Sequence, residues 1–184
     1  MEIGAGYGNL TKCIASMGPK KILAIEKDKK LSSFLKKKFE NCKNIKIINQ
    51  DILDVIKENN SENNIIVFGN LPYNISTRVL ASLIMLKKWP PWYDILILMF
   101  QKEVADRITA KTGTREFGRL SVLANWRLEI KKHFHISKNC FFPKPKINST
   151  LLSFKPKKIN VFNLKNPKNL EIVTRILFSN RRKM

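Results

Sequence analysis

The sequence predicts an α/β fold in which helices cover both faces of a doubly wound parallel sheet. Short apolar segments rich in β-branched residues alternate with stretches of helical character, which is typical of repeated βαβ units. These segments are apolar throughout, as expected for strands of a parallel sheet buried on both faces. A glycine-rich turn at residues 4–8 follows the first segment, where sheets of this kind bind nucleotides.

Strands and helices alternate over the first hundred residues. The predicted strands are residues 22–25, 45–48, 65–68 and 95–100. The predicted helices are residues 10–17, 28–39, 52–57 and 76–87. The first strand has only residues 1–3 before the glycine turn, whereas about five strand residues are usual. We expect the chain to be truncated at this end.

The pattern changes after Phe100. Helices are predicted at residues 101–108 and 120–126, and strands at 127–136 and 147–154. A basic, proline-containing linker at residues 155–167 leads to a last helix at 170–178, which stops in a basic run. We therefore expect a main domain over residues 1–156. Residues 157–184 are predicted to be the linker and the truncated start of a helical C-terminal lobe.

The charge balance predicts a polyanionic partner. The chain has 35 basic and 14 acidic residues, giving a net charge of +21. An AT-rich genome would also favour lysine, so part of the positive charge can come from genome composition and not from function. Charge alone also does not distinguish an RNA partner from a DNA partner.

No apolar run is long enough to span a bilayer and no secretory signal is present, so we expect a cytoplasmic protein. The three separated cysteines predict free thiols and no metal site.

The glycine turn predicts a nucleotide-like cofactor. Gly4, Gly6 and Gly8 leave bare backbone near a helix N-terminus, and Glu26 ends the next strand about twenty residues later, where a carboxylate binds ribose hydroxyls. A dinucleotide and S-adenosylmethionine both remain possible, although the G-x-G-x-G spacing favours the methyl donor. Asp51 follows the third strand. It can accept a hydrogen bond from an adenine amino group, cap the following helix, or do both.

The tetrapeptide Asn70-Leu71-Pro72-Tyr73 follows the fourth strand and predicts the chemistry. An adenine N6 amine is a poor nucleophile because its lone pair is delocalised into the ring. The Asn70 side-chain oxygen and the Leu71 carbonyl can accept its two N–H groups, which frees the lone pair for attack on a methyl group. Pro72 restricts the backbone, and the ring of Tyr73 can stack on the base.

Seven runs in this order resemble the KsgA-type ribosomal RNA adenine dimethyltransferases, the bacterial dimethyladenosine transferases. They are residues 2–8 (EIGAGYG), 25–28 (IEKD), 50–51 (QD), 69–77 (GNLPYNIST), 101–105 (QKEVA), 117–121 (FGRLS) and 141–149 (FFPKPKINS). The resemblance implies a class I, Rossmann-like methyltransferase fold with a small helical C-terminal lobe. It also implies dimethylation of two adjacent adenosines in a hairpin near the 3′ end of small-subunit ribosomal RNA.

The resemblance also implies roles for individual residues. The cofactor site is expected to comprise Glu2, Gly4, Gly6, Gly8, Glu26, Lys27, Asp51, Ile52 and Asn70. Asn70 to Tyr73 would hold the target amine. Phe141 would close over the base from the other face, although on sequence alone it is equally well a core residue. The residues predicted to contact RNA phosphates are Arg119, Lys144, Lys146, Arg181 and Arg182. The expected partner is ribosomal RNA in the assembling 30S particle, bound by a monomer.

Two alternatives remain open. Large-subunit adenine methyltransferases that confer antibiotic resistance share the glycine loop and the Asn-x-Pro-Tyr type of motif, but Leu71 and residues 117–121 favour the small-subunit enzymes. A non-catalytic RNA-binding assembly factor could keep the fold without the chemistry. The presence of Glu26, Asp51 and Asn70 argues against such a loss.

Overall fold

The computed structural model describes residues 1–57, 64–158, 164 and 166–179. The strands are Glu2–Ile3 (β1), Ile22–Ile25 (β2), Ile45–Ile48 (β3), Ile66–Gly69 (β4), Ile95–Gln101 (β5), Leu128–Ile136 (β6) and Ser149–Pro156 (β7). The helices are Asn9–Ser16 (α1), Lys29–Lys38 (α2), Ile52–Val55 (α3), Tyr73–Ile84 (α4), Lys102–Ile108 (α5), Arg119–Arg127 (α6) and Pro167–Ser179 (α7), with a short 3-10 helix at Lys138–Cys140.

All seven strands belong to one sheet, in the order β3-β2-β1-β4-β5-β7-β6. The pairs from β3 to β5 are parallel, whereas β7 runs antiparallel to both β5 and β6. The predicted α/β fold is therefore confirmed. No helix in the described ranges combines the length and hydropathy that crossing a membrane requires.

β1 lies inside the sheet, between β2 and β4. Glu2 and Ile3 pair with Ala24 and Ile25 on one side and with Phe68 and Gly69 on the other. Just before β1, the Met1 ammonium donates to the Ile66 carbonyl at 2.8 Å, and the Met1 carbonyl accepts from the Phe68 amide at 2.9 Å.

Most element boundaries differ from the sequence prediction by one to three residues, and α7 begins at Pro167, inside the predicted linker. Two of the differences have a clear cause in the hydrogen bonding. α4 begins at Tyr73 and not at residue 76, because the Pro72 carbonyl already accepts from the Ile75 and Ser76 amides. β7 continues to Pro156, two residues into the predicted linker, because its ladder with β6 extends to a pairing of Leu128 with Pro156. A proline is tolerated there because the strand is ending and a donor is no longer needed.

The last helix packs against α6. The Arg119 guanidinium donates to the Glu171 carboxylate at 2.7 Å, and the rings of Phe117 and Phe178 meet edge to face at 6.2 Å between centroids. Thr174 is buried on the inner side of α7, whereas Val173 and Ile176 are exposed on the other side. The described part of the predicted C-terminal lobe is thus in contact with the main sheet domain through α6.

Gly8 is required by the packing under the glycine loop. Its φ is 76°, and a Cβ atom there would lie 2.7 Å from side-chain carbons of both Leu35 and Phe39. We expect Gly8→Ala to lower the free energy of unfolding by about 2–5 kcal/mol, since a left-handed backbone costs about 1–2 kcal/mol and overpacking about 1–3 kcal/mol. Gly18→Ala is the matched control because Gly18 also has a positive φ but open space around it. It should lose only the backbone contribution, and equal losses in urea unfolding of the two variants would contradict this packing argument.

Candidate functional site

The carboxyl ends of β1, β2 and β4 are level with one another. Ile3 pairs with Ile25 and with Gly69, so the next residues, Gly4, Glu26 and Asn70, begin the loops at the same edge of the sheet. A cavity of about 1170 Å³ opens there, large enough for a nucleoside cofactor together with a second base. Its walls include most of the predicted site residues: Gly4, Gly6, Glu26, Lys27, Asp51, Ile52, Asn70, Leu71, Pro72, Tyr73 and Phe141.

The glycine loop is held in place by Glu26. One carboxylate oxygen of Glu26 accepts the Gly6 amide at 2.9 Å, and the other accepts the Asp28 amide at 2.9 Å. Gly6 has a φ of 55° and nothing within 4 Å of the position a Cβ would take, so the loop leaves open space on that side. Each carboxylate oxygen has a second lone pair. Glu26 can therefore hold the loop and still accept a ligand hydroxyl.

Asp51 has the structural role that the sequence allowed. One of its oxygens accepts the Leu53 amide at 2.9 Å and caps α3, while the other accepts from the Lys27 ammonium at 2.9 Å. The hydrogen bond from Lys27, followed by that from Leu53, lowers the pKa of Asp51 below its usual value. The carboxylate therefore stays ionised as an acceptor at the cavity wall. Ile52, next to it, supplies buried apolar surface. The adenine contact itself stays a prediction.

Glu2 and Gly8 lie beside the cavity and not in its wall. Glu2 is only 2% exposed, and its carboxylate accepts the Thr11 hydroxyl at 2.6 Å, which ties β1 to α1 below the glycine loop. Burial raises the pKa of Glu2. Gly8 is the N-cap residue just before α1 and packs against Leu35 and Phe39. Both residues position the loop, and a direct contact with a cofactor stays a prediction for each.

The loop after β4 exposes two hydrogen-bond acceptors. Within the described residues, neither the Asn70 side chain nor the Leu71 carbonyl takes part in a hydrogen bond. The Leu71 side chain is buried and anchors the loop. A Cβ on Gly69 would lie 2.9 Å from Leu98 and 3.3 Å from Leu71, so glycine at that position lets the loop sit close to β5. The loop therefore presents fixed acceptors toward the cavity.

Two aromatic side chains reach the cavity from different parts of the chain. Tyr73 is the first residue of α4, and its hydroxyl lies 2.7 Å from the hydroxyl of Ser149 at the start of β7. Phe141 follows the 3-10 helix, and its loop is held where the Lys138 amide donates to the Asn148 side chain at 3.1 Å. The structure thus brings together the two rings that the sequence predicted on either side of a base.

The predicted RNA-contacting residues are scattered. Lys144 is exposed between Pro143 and Pro145, which line the cavity, whereas Lys146 is exposed and lines a separate depression beside α5. Arg119 instead forms the ion pair with Glu171, and Arg181 and Arg182 lie outside the described residues.

Sequence reasoning missed Arg78, an exposed residue of α4 that lines the cavity. Arg78 lies three residues after Ile75, so both side chains are on the same face of α4, and both line the cavity. Sequence reasoning also assigned no role to Ser149, although this residue ends the motif run at residues 141–149, because its contact with Tyr73 is 76 residues distant in the chain.

Comparison with known proteins identifies related chains. The family model described as ribosomal RNA adenine dimethylase matches residues 1–184. The ribosomal RNA small subunit methyltransferase A of Pelagibacter ubique is 52% identical over 184 residues, which cover all of this chain and 69% of that protein. The namesake from Malacoplasma penetrans is 41% identical over 184 residues and is covered to 64%. The chain thus spans about two thirds of the length of these curated relatives.

Solved structures agree on the fold. A dimethyladenosine transferase from Plasmodium falciparum superimposes with a TM-score of 0.74 at 28% identity, covering 97% of this chain and 62% of that one. The 23S rRNA methyltransferase ErmE gives 0.75 at 21% identity, covering 97% and 69%, and shows the likeness of the fold alone. The predicted Rossmann-like methyltransferase sheet is therefore confirmed.

The buried Glu2 carboxylate predicts a pH-dependent stability difference. Burial raises the pKa of Glu2 in the folded state, so the ionised carboxylate destabilises the folded protein but not the unfolded chain. The free energy of unfolding therefore falls as pH rises through the pKa of the folded state. Glu2→Gln removes the charge, so the variant should gain stability relative to the parent between acidic and neutral pH. Urea unfolding of both proteins from about pH 4 to pH 8, spanning the ordinary carboxyl pKa, measures the difference. Parallel stability curves would show that the Glu2 charge carries no such penalty.

Proposed function

Because the chain belongs to the ribosomal RNA adenine dimethylase family, we propose that the protein methylates adenine N6 in small-subunit ribosomal RNA. The product is N6,N6-dimethyladenosine at two adjacent adenosines of a hairpin near the 3′ end. One observation carries the proposal. A single cavity joins the glycine loop and Glu26 to Asn70, Leu71 and Tyr73, so a methyl donor and an amine acceptor can meet in it.

The residues present fit S-adenosylmethionine. Gly4 and Gly6 leave backbone free of side chains, Glu26 has spare lone pairs for ribose hydroxyls, and Asp51 is an ionised acceptor for an adenine amine. Ile52 offers an apolar surface to a purine ring. When bound, this cofactor supplies an electrophilic methyl group on a positively charged sulfur. The chain itself contributes the binding surface and the orientation.

Asn70 and Leu71 prepare the acceptor amine. Their free oxygens accept the two N–H groups of an adenine N6, which holds the nitrogen near tetrahedral geometry and directs its lone pair into the cavity. As positive charge develops on the nitrogen, these hydrogen bonds strengthen, so they stabilise the transition state more than the ground state. Pro72 and the buried Leu71 side chain keep both acceptors fixed.

The target adenosine must leave its stack to reach this loop. Tyr73 and Phe141 provide flat apolar surfaces for an extruded base, as base-flipping enzymes require. Arg78 and Lys144 contact the RNA backbone at the mouth, and Lys146 contacts it further along the same loop. We assign the assembling 30S particle as the substrate, acted on by a monomer in the cytoplasm. We also assign residues 1–156 to the catalytic domain and 157–184 to the start of a second lobe.

The first functional prediction concerns the product. Full-length protein incubated with labelled S-adenosylmethionine should label unmethylated small subunits and yield N6,N6-dimethyladenosine on nucleoside analysis. Unmethylated large subunits and duplex DNA are tested in parallel, because charge alone does not exclude either. Label confined to large subunits would favour the resistance-type activity. RNA binding without any transfer would favour an assembly factor.

The second functional prediction separates the two halves of the cavity. Asn70→Ala should lower kcat at least about a hundredfold and leave the cofactor Kd nearly unchanged, since it removes a transition-state hydrogen bond. Asn74→Ala is the control: Asn74 lies four residues later, at the second position of α4 and outside the cavity wall, and its replacement should leave kcat unchanged. Asp51→Asn keeps an oxygen to cap α3 and removes the charge. It should weaken cofactor binding by about 1–3 kcal/mol. Calorimetry and turnover assays that reversed these two effects would refute the assignment.

A further inference from the structure

The contact between Tyr73 and Ser149 joins two segments 76 residues apart in the sequence. Their hydroxyl oxygens are 2.7 Å apart, which is a short, well-formed hydrogen bond. Tyr73 is half-buried and lines the cavity, whereas Ser149 is fully buried. The bond therefore reaches from the site into the rigid interior.

Ser149 is well placed to hold a side chain still. Its backbone pairs with Gln101 of β5 on one side and with Ile136 of β6 on the other. The preceding residue, Asn148, accepts the Lys102 amide at 2.9 Å through its carbonyl. A serine fixed between two strands is a nearly immobile partner for the Tyr73 hydroxyl.

The same short segment also holds the second aromatic wall. The side chain of Asn148 accepts the Lys138 amide at 3.1 Å, at the start of the 3-10 helix that leads to Phe141. Neighbouring residues of one strand end therefore restrain both Tyr73 and the loop of Phe141. Residues 148–149 therefore connect the Tyr73 side chain with the segment that leads to Phe141.

We propose that Ser149 is a positioning residue that fixes the ring of Tyr73 for the base it stacks on. This inference rests on the proposed function. Without the bond, the ring would keep its apolar surface but could rotate about its side-chain torsions, so the amine would less often meet the acceptors of Asn70 and Leu71 in the productive geometry. The role concerns the rate of transfer and not the affinity for the cofactor.

The test removes the bond from either side in the full-length protein. Ser149→Ala and Tyr73→Phe should each lower kcat on unmethylated small subunits about five- to tenfold, the effect of losing one neutral hydrogen bond. The cofactor Kd should not change. The double variant should be no slower than the slower single variant, because both changes delete the same interaction. Ser153→Ala is the matched control: it lies on the same strand and loses a 2.8 Å bond to His133, away from the cavity, and should keep the parental kcat.

Three results would overturn the inference. Parental kcat in both single variants would show that the bond does not position the ring. Additive losses in the double variant would show that the two hydroxyls act separately. A fall in kcat that only follows a loss of thermal stability and cofactor affinity would show a purely structural serine. Absence of transfer by the parent protein would be a different outcome, because it would refute the proposed function and this inference with it.

Discussion

The register of the two-residue strand β1 is the constraint on which the site depends. Because Ile3 is paired with Ile25 and with Gly69, the glycine loop, Glu26 and Asn70 all start at one level of the sheet. A shift of one residue in either ladder would turn each following side chain to the opposite face. The Thr11 hydroxyl donates to the Glu2 carboxylate and so links β1 to α1, although this buries a carboxylate. The geometry of the cavity thus depends on the register of β1 between its two neighbours.

Three carboxylates near this edge do different work because their surroundings differ. Glu2 is buried beside one hydroxyl, and burial raises its pKa. Glu26 is half-buried and accepts two backbone amides, which orders the glycine loop. Asp51 is paired with Lys27 and caps a helix, so its pKa is lowered. Residue type alone does not distinguish these roles, since burial and partners set them.

Some of the basic residues have partners within the protein, and others are exposed at its surface. Arg127 is only 3% exposed and lies between the rings of Trp89 and Trp126, donating to the carbonyls of Ile84 and Leu86 at the end of α4. Asp106 binds both Lys102 and Lys132. Cations engaged in these contacts are less available to RNA, so the net charge overstates the surface that phosphates can use. Arg78 and Lys144, at the cavity mouth, remain exposed.

The sequence by itself determined the order of strands and helices, the glycine loop and the Asn70–Tyr73 loop, because these depend on local periodicity and on residues close in the chain. It also predicted that Glu26 and Asp51 lie at the edge where they line the cavity, since parallel strands end at a common edge. Only the tertiary structure decided that Tyr73 is bonded to Ser149, that Arg119 is paired with Glu171, and that Gly8 supports packing beside the cavity. These facts depend on contacts between segments far apart in the chain. Neither helical nor strand periodicity carries information about which distant side chains meet.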